Sequence, residues 1–404
     1  MLKKIGFYGL SHLGLCYSAA FAKKNFKVTA IDEDRNKINK LKKNIIDVFE
    51  KGLLEILKKK NILYSNKIDV LNKCEIVFFT NDVKTNSKNV SNIIEIKKKI
   101  IKLDQILNPN ISLVILSQVP PGFIRSLKLK RKLYYQVETL IFGDAISRAL
   151  NPERIILGKE NSSISLDKNL KQIYRKFSSN ILEMNYESAE LAKISINLML
   201  ISSIMTSNFI SLYCEKINAN WSDIKKSLQL DKRIGKFAYL NPSPGLSGGN
   251  LERDLINANK YFNYKNVLKS WINLDKKMKM WTVRLIKKNL KKKSKILISG
   301  MTYKNNTLSV KNSLSLFLIK KLHKFCNMTI LEKKNSQKFF KNIKFIENLK
   351  KDKTKYDCII FVNNTYKKNL FKSSFNKETI FIDPYNFYNS FKIYKNYFSI
   401  GNNK

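Results

Sequence analysis

The start of the chain has the feature that most restricts its fold. An apolar run of strand length at residues 5–9 is followed by a helical stretch at 13–23 and a second strand-like run at 27–32. A strand, a helix and a strand in this order form two parallel strands with the helix packed across them. The first part of the chain is therefore expected to form a parallel sheet covered by helices.

The turn between this strand and this helix reads G-L-S-H-L-G at residues 9–14. It matches the pattern G-x-G-x-x-G except that Ser11 replaces the second glycine. That pattern brings backbone N–H groups and a helix N-terminus to a pyrophosphate, and an acid ending the next strand, here Asp32, holds ribose hydroxyls. The acid favours NAD over NADP, although the nearby Arg35 leaves NADP open. The alternative to a dinucleotide-binding turn is a simple tight turn between a strand and a helix. The predicted NAD contacts in this region are Gly9, Ser11, His12, Leu13, Gly14 and Asp32.

Further along, the periodicity of the apolar residues changes twice. Long helical periodicity dominates residues 187–290, interrupted by a loop at 239–249, and a lysine-rich stretch comes next near residue 291. Strand-length apolar runs flank this region at residues 75–80, 113–117, 295–300, 328–331, 358–362 and 379–382, with a helix at 313–322. The pattern predicts an α/β fold with two Rossmann-like parallel-sheet domains joined by a long central helix.

We place the predicted domain boundaries at these changes of pattern. Residues 1–185 would form the NAD-binding domain, 186–290 a central helical domain, and 291–404 a second, smaller α/β domain. The uncharged stretch 194–214 is long enough to span a bilayer. Its many serine and asparagine residues instead favour a buried helix in a helical core or a dimer interface, so no membrane span is expected.

The net charge of +45 could indicate nucleic acid or an anionic membrane as a partner. However, the chain has 67 lysines and only nine arginines, and the lysines are spread along its whole length. Nucleic-acid readers concentrate arginine, because its guanidinium makes bidentate contacts. We therefore favour a solvated basic surface without a specific nucleic-acid partner, although such a surface would attract a polyphosphate substrate.

Cysteine and histidine are too few and too scattered for several kinds of site. The five cysteines contain no C-x-x-C spacing, and the chain has two histidines. A disulfide framework, a zinc site and a Ser-His-Asp triad are therefore not expected. This usage fits a reducing, cytoplasmic location.

Five further motifs follow one another along the chain. They are S-Q-V-P-P-G at 117–122, N-P-E-R at 151–154, E-L-A-K-I-S-I-N at 190–197, the glycine-rich stretch 239–254, and G-M-T-Y-K at 300–304. With these motifs in this order, the chain resembles the UDP-glucose/GDP-mannose dehydrogenase family over nearly its whole length. The resemblance implies an N-terminal NAD domain, a central helix that builds a homodimer, and a C-terminal domain that binds UDP. It also implies an enzyme of polysaccharide precursor synthesis that oxidises the primary alcohol of a UDP-glucose-like nucleotide sugar.

The resemblance further implies roles for single residues. Lys193 and Asn197 would stabilise an oxyanion and hold water, and their spacing of four places them on one helical face. A solvated helix lysine is the alternative for Lys193. Asp254 would assist as a general base, and Glu138 stands where the family has the first glutamate of N-P-E-F-L-x-E-G. Further expected cofactor contacts are Thr85, Gln118 and Arg253, and expected substrate contacts are Arg233, Tyr239, Gly248 and Lys304.

The sequence departs from the family at the nucleophile. Residues 245–254 read G-L-S-G-G-N-L-E-R-D, so Asn250 stands where the family's G-x-G-F-G-G-S-C-L-P-K-D has its cysteine. Asparagine cannot form the thiohemiacetal that captures the aldehyde. Phe142 also replaces the second glutamate of the N-P-E-F-L-x-E-G motif, and Lys311 replaces an arginine.

We rank three hypotheses for the function. The first is an NAD-dependent oxidoreductase that acts on the CH–OH group of a nucleotide sugar, by one oxidation or through a hydrated aldehyde, with Asn250 in the place of the nucleophile. The second is a catalytically inactive NAD- or nucleotide-sugar-binding protein that acts as a regulator or partner subunit. The third is a nucleic-acid or membrane-surface protein that binds through its charge.

Overall fold

The computed structural model describes residues 3–86, 91–161, 163–262, 265–305, 307–332 and 343–402. These residues form two compact units, Met1–Ile196 and Asn197–Lys404.

The first unit is built on an eight-stranded sheet. Its strands are β1 (Lys4–Tyr8), β2 (Lys27–Ile31), β3 (Ile62–Ser65), β4 (Ile76–Phe79), β5 (Ser112–Ile115), β6 (Leu133–Gln136), β7 (Ile155–Lys159) and β8 (Ile181–Asn185). They lie in the order β3-β2-β1-β4-β5-β6-β7-β8, and every pair is parallel except the antiparallel pair β6–β7. Strands such as β4 are buried at every residue, as expected for a parallel sheet covered on both faces.

Helices cover this sheet and bury its two faces. They are α1 (His12–Lys23), α2 (Arg35–Lys42), α3 (Leu53–Leu57), α4 (Ile93–Ile106), α5 (Phe123–Ser126), α6 (Ala145–Leu150) and α7 (Lys168–Arg175). Alternate residues of β1 point to opposite faces, so Phe7 stacks on Phe78 in one core while Tyr8 contacts Phe79 in the other.

The second unit contains a smaller sheet. Its strands are β9 (Lys295–Ser299), β10 (Asn327–Leu331), β11 (Lys344–Ile346), β12 (Cys358–Phe361), β13 (Ile380–Ile382) and β14 (Tyr397–Phe398). The helices that follow the long helix α8 (Tyr186–Ile217) are α9 (Trp221–Leu230), α10 (Asn250–Tyr261), α11 (Lys265–Asn289) and α12 (Leu314–Leu322). The strand order is β11-β10-β9-β12-β13-β14, all parallel. This is the order of the first six strands of the first unit, and it is the doubly wound order of dinucleotide-binding folds. The predicted fold class is therefore confirmed.

The strand-length runs identified in the sequence correspond to β1, β2, β4, β5, β9, β10, β12 and β13. Six strands were not predicted from the sequence, namely β3, β6, β7, β8, β11 and β14. Some of these have only two or three residues, and β8 is only partly buried along its length. Such strands lack the long apolar run that marks a fully buried one.

The long helix α8 has 32 residues, and by length and composition it could cross a membrane, although the core helix of a globular protein passes the same test. Only 39% of its most apolar stretch is buried. Asn208 and Ser211 face the interior, whereas Met199, Phe209 and Tyr213 are exposed. The expectation of a buried helix is thus correct for one face only, and the other face exposes several large apolar side chains.

Candidate cofactor and substrate sites

The turn between β1 and α1 requires glycine at two positions. Gly9 has a φ of +97°, and a Cβ there would lie 2.4 Å from the side chain of Asn81. A Cβ on Gly14 would lie 2.0 Å from the carbonyl oxygen of Gly9. The first turn of α1 therefore lies directly against the end of β1, which is the close approach that a pyrophosphate-binding turn needs.

Ser11, in the place of the second glycine, fits this turn without strain. It caps α1 with a φ of −67°, an ordinary value for any residue. Its hydroxyl donates a hydrogen bond of 2.9 Å to the carbonyl oxygen of Thr80 at the end of β4. The side chain of Leu13 is buried. A bound dinucleotide would thus meet mainly the backbone of this turn, and the residues present fit NAD.

Asp32 is held in a fixed position by three donors. One carboxylate oxygen accepts the backbone N–H of Leu10 at 2.9 Å and the ammonium of Lys37 at 2.8 Å, and the other accepts the N–H of Asp34 at 3.0 Å. A carboxylate held in this way is ready to accept ribose hydroxyls as further donors. Lys37 was not predicted from the sequence. Its position in the first turn of α2, five residues after Asp32, could have indicated this contact.

His12 turns into the protein. Its Nε2 lies 2.8 Å from Oε1 of Glu50, and its ring lies 4.1 Å from that of Phe142. The buried Glu50 carboxylate also accepts the N–H groups of Gly143 at 2.8 Å and Ala145 at 3.1 Å. The side chain of His12 therefore links the turn to the segment after β6, and a cofactor contact of His12 would use its backbone.

The S-Q-V-P-P-G segment, which contains Gln118, comes after β5 and is held by Glu190. This fully buried carboxylate accepts the N–H of Gly122 at 2.6 Å and that of Ile124 at 2.8 Å. Burial raises the pKa of Glu190 from 4.5 to about 7. Gln118 itself is partly exposed, and Thr85 forms a short antiparallel bridge with Ser91.

Lys193 is buried, so its interpretation as a solvated lysine is wrong. Its ammonium donates to the carbonyl oxygen of Glu138 at 2.6 Å and lies 3.4 Å from the Glu138 carboxylate. The other carboxylate oxygen of Glu138 accepts the N–H of Leu140. Two predicted catalytic residues, the buried Lys193 and the partly buried Glu138, thus form one pair in the first unit.

Asn197, four residues further along α8, belongs to a second buried group. Its amide donates to one carboxylate oxygen of Asp254, and Nε of Arg253 donates to the other at 2.9 Å. Asp254 is 3% exposed. Asn250 is the exposed first residue of α10 and lies one helical turn before Asp254, on the same face. The structure therefore brings together Asn197, Asp254 and Arg253 in the second unit.

The predicted substrate residues Gly248 and Lys304 lie in segments that touch each other. Gly248 has a φ of +79°, and a Cβ there would lie 3.1 Å from the ring of Tyr303. The ammonium of Lys304 lies 5.8 Å from the centre of the same ring. A close backbone approach at Gly248 leaves no room for a side chain next to this aromatic ring.

The other two predicted substrate residues are more exposed. The side chain of Arg233 is 88% exposed and pairs with Asp231 of its own loop at 2.6 Å. Tyr239 is 44% exposed, and its carbonyl oxygen accepts the hydroxyl of Ser207 at 3.4 Å. Within the described part of the chain, Arg233 is not joined to the Gly248–Lys304 segments by a hydrogen bond or ion pair.

All five cysteines are free and buried. Burial raises the pKa of the Cys16, Cys214 and Cys358 thiols, which suppresses the reactive thiolate. Among the described residues, no group of three or more His, Cys, Asp or Glu side chains is placed to hold a metal ion.

A doubly wound unit with a glycine turn and an acid ending its second strand defines the class of dinucleotide-dependent dehydrogenases. The family model for the NAD binding domain of the UDP-glucose/GDP-mannose dehydrogenase family matches residues 3–178, and the model for its central domain matches residues 187–275. The chain belongs to the UDP-glucose/GDP-mannose dehydrogenase family. NAD is therefore its cofactor, as the glycine turn and Asp32 predicted.

Known proteins agree with this assignment. The chain is 30% identical to a UDP-glucose 6-dehydrogenase of Rickettsia bellii over 79% of this chain and 78% of that one. It is 29% identical to a UDP-glucose 6-dehydrogenase of Campylobacter jejuni over 88% and 93% of the two chains. Solved structures share its fold: a UDP-glucose dehydrogenase of Pyrobaculum islandicum has a TM-score of 0.81 at 16% identity, covering 95% and 94% of the two chains. A UDP-D-ManNAc dehydrogenase of Pyrococcus horikoshii has a TM-score of 0.80 at 17% identity, covering 99% of each chain.

Proposed function

We propose that this chain is an NAD-dependent oxidoreductase that acts on the CH–OH group of a UDP-glucose-like nucleotide sugar in polysaccharide precursor synthesis, with Asn250 in the position of the nucleophilic cysteine. The relatives named UDP-glucose 6-dehydrogenase support a UDP-sugar as the substrate. We propose the cytoplasm as its location and a homodimer as its assembly.

The observation that best supports an active enzyme is the buried group of Asp254, Asn197 and Arg253. Burying a carboxylate costs free energy unless it is paired and hydrogen-bonded. Here both oxygens of Asp254 have a donor, one helical turn from Asn250. Paired charged groups therefore lie close to Asn250, which supports an altered enzyme.

In the proposed reaction, NAD supplies the acceptor for the hydride that leaves the alcohol carbon. The ammonium of Lys193 and the amide of Asn197 would donate hydrogen bonds to the sugar oxygen, which becomes negative as its proton leaves. Asp254 would take up that proton through a water molecule. The product of this step is an aldehyde and NADH.

A second oxidation without a cysteine would require water to add to the aldehyde. The resulting hydrate has two hydroxyl groups on the carbon. Transfer of a second hydride from this carbon to a second NAD, with release of one hydroxyl proton to water, would yield the carboxylic acid directly. The Asn250 amide can hydrogen-bond this hydrate but cannot form the covalent thiohemiacetal. We therefore expect the second step to be slow or absent.

The test is the number of NADH molecules formed for each sugar consumed, measured with NAD and a panel of UDP- and GDP-sugars. We expect one NADH per sugar and an aldehyde product. Two would show complete oxidation through the hydrate. No NADH, with both ligands still binding in calorimetry, would replace this proposal by a catalytically inactive binding protein. Tighter binding of NADP than of NAD would contradict the role of Asp32.

A further inference from the structure

We propose that Lys279 in α11 is a positioning residue that holds the glycine loop (residues 244–249) and the first turn of α10 against residues 303–305 and 307–312, and thereby sets the affinity for the nucleotide sugar. This inference rests on the proposed function, because Gly248 and Lys304 lie in the two segments that it joins.

Lys279 connects two acidic side chains from different helices. Its ammonium lies 2.7 Å from Asp275, one turn earlier in α11, and 2.8 Å from Glu252 in the first turn of α10. The Lys279 side chain is 18% exposed, that of Glu252 19% and that of Asp275 6%. In a site so poorly solvated, one ammonium shared by two carboxylates is needed to offset their desolvation.

The same pair holds the glycine loop. Asp275 accepts the backbone N–H of Leu246. Gly245 has a φ of +89°, and a Cβ there would lie 2.6 Å from Cγ of Lys279. The aliphatic part of Lys279 therefore packs on the loop backbone while its ammonium binds the two acids.

The other oxygen of Glu252 connects the loop to the segment that contains Lys304. The Asn312 amide donates both to this oxygen and to the carbonyl oxygen of Gly248, the latter at 2.9 Å. In return, the N–H of Gly248 donates to the carbonyl oxygen of Lys311 at 3.2 Å. Lys279, Glu252 and Asn312 thus form a continuous chain from α11 to both sides of Gly248.

This arrangement depends on Glu252, which is a departure from the family pattern. The family motif G-G-S-C-L-P-K-D has proline where this chain has Glu252. A proline has no side chain that could pair with Lys279. The ion pair between α10 and α11 is therefore a feature of this chain, two positions from Asn250.

Other charged and titratable groups surround the pair. Lys320 and the phenol of Tyr385 line the same cavity of about 130 Å³ as Lys279. The ammonium of Lys311 lies next to Gly249, because a Cβ on Gly249 would be 3.5 Å from it. Because Lys320 and Lys311 keep positive charge near the two acids when Lys279 is replaced, the experiment must distinguish the loss of the Lys279 charge from the loss of its packing.

The test compares Lys279→Met, Lys279→Arg and Lys277→Met, a control that removes an exposed lysine from the same helix. Calorimetry measures the Kd for UDP and for NAD, and hydrogen exchange measures the protection of amides 245–252. We expect Lys279→Met to weaken UDP binding by about tenfold or more, since it breaks a buried ion pair, and to leave NAD binding unchanged. We expect Lys279→Arg to retain most of the affinity and Lys277→Met all of it.

A charge-based role has two further signatures. Adding Glu252→Gln to Lys279→Met removes one carboxylate of the group and should recover part of the lost UDP affinity. Lowering the pH towards 5 should also improve UDP binding by Lys279→Met more than by the parent. Burial raises the pKa of Asp275, so protonation neutralises this carboxylate once it has lost its ammonium.

Unchanged exchange at amides 245–252 in Lys279→Met would overturn the inference, whether or not UDP binds. If the parent protein binds UDP, an unchanged UDP affinity in Lys279→Met would overturn the inference as well. A parent protein that does not bind UDP would instead contradict the proposed function, while the exchange measurement would still decide the role of Lys279. If Lys279→Met does not fold, Lys279→Arg and Glu252→Gln supply the comparison.

Discussion

At the residue scale, the chemistry that we propose for this chain depends on Asn250. It is the exposed first residue of α10, and the N-terminus of a helix favours a negative charge such as a thiolate. The neighbouring acid Asp254 keeps its partners Asn197 and Arg253. Under the proposed function, the helix N-terminus and the paired Asp254 would both assist a nucleophile at position 250.

We predict that Asn250→Cys raises the yield from one NADH per nucleotide sugar to two. The new thiol would capture the aldehyde covalently, and the second oxidation would proceed through a thioester. The measurement is NADH formed per sugar, with Asn250→Ser as a control of similar size that lacks the thiol. An unchanged yield in a folded Asn250→Cys variant would show that other parts of the second step have been lost.

A second residue-scale prediction concerns Glu190. Its pKa is raised by burial to about 7, above the ordinary 4.5, so the folded protein favours the protonated form. Its contribution to stability is fully present below pH 4.5 and is lost as the pH rises through 7, a change of about 3 kcal/mol. We predict that Glu190→Gln flattens the pH dependence of the free energy of unfolding over this range. Urea denaturation at pH 5 and pH 8 checks it, and an equally steep dependence in Glu190→Gln would contradict it.

At the scale of elements, the two sheets end their first strands in the same way. Gly9 and Gly300 have φ values of +97° and +99°. In each turn the next backbone N–H donates at 2.9 Å to an acid ending the second strand, Asp32 in the first unit and Glu332 in the second. The two turns differ in their distance from the next helix, because α1 begins three residues after Gly9, whereas α12 begins only at Leu314. The first turn thus keeps a helix N-terminus for a pyrophosphate, whereas the second is not followed directly by a helix.

The close contact between α1 and the first of these turns predicts a large effect of Gly14→Ala. A Cβ at Gly14 would lie 2.0 Å from the carbonyl oxygen of Gly9, so α1 would have to move away from β1. We expect NAD binding to be lost and the free energy of unfolding to fall by about 1–3 kcal/mol, the usual cost of overpacking. Calorimetry with NAD and urea denaturation measure the two effects.

Gly52→Ala is the matched control for this substitution. Gly52 has a φ of +77° but no neighbour within 4 Å of the added Cβ. It should cost about 1 kcal/mol of backbone strain and leave NAD affinity unchanged. Unimpaired NAD binding by Gly14→Ala would show that the turn does not bind the cofactor.

At the scale of the whole molecule, the exposed face of α8 needs an explanation. Met199, Phe209 and Tyr213 are 69%, 65% and 56% exposed, although all three are large and apolar or aromatic. At about 100° per residue, their three positions fall within an arc of about 80° on one side of the helix. Exposed apolar stripes of this kind are typical of an interface between chains.

We therefore predict a homodimer that buries this stripe. Glutamate substitutions at Met199 and Phe209 together should convert the dimer to a monomer, because they place two charges in the interface of each subunit. Light scattering during gel filtration measures the mass, and a glutamate substitution at the exposed Ile393 in the second unit serves as the control. A monomeric parent protein, or one that partitions with membranes, would contradict the prediction.

The sequence by itself determined the features that depend on local backbone geometry. A turn that needs glycine at two positions and an acid after the next strand can be identified from Gly9, Gly14 and Asp32 because both requirements are met within one β-α-β unit. The order of the five motifs likewise indicated the family, and the spacing of Lys193 and Asn197 placed them on one face of α8. Comparison with the family's glycine-rich motif also placed Asn250 at the position where that motif has cysteine.

The tertiary structure decided which distant side chains complete each site. His12 meets Glu50 across 38 residues, Glu190 meets the N–H of Gly122 across 68, and Lys279 meets Glu252 across 27. No local pattern marks these partners, because buried charges are satisfied by whichever donor or acceptor the packing brings within hydrogen-bonding distance. The exposed side of α8 could not be predicted for a related reason. Ser207, Asn208 and Ser211 are buried while Met199, Phe209 and Tyr213 are exposed, so polarity along the sequence did not show which face meets the solvent.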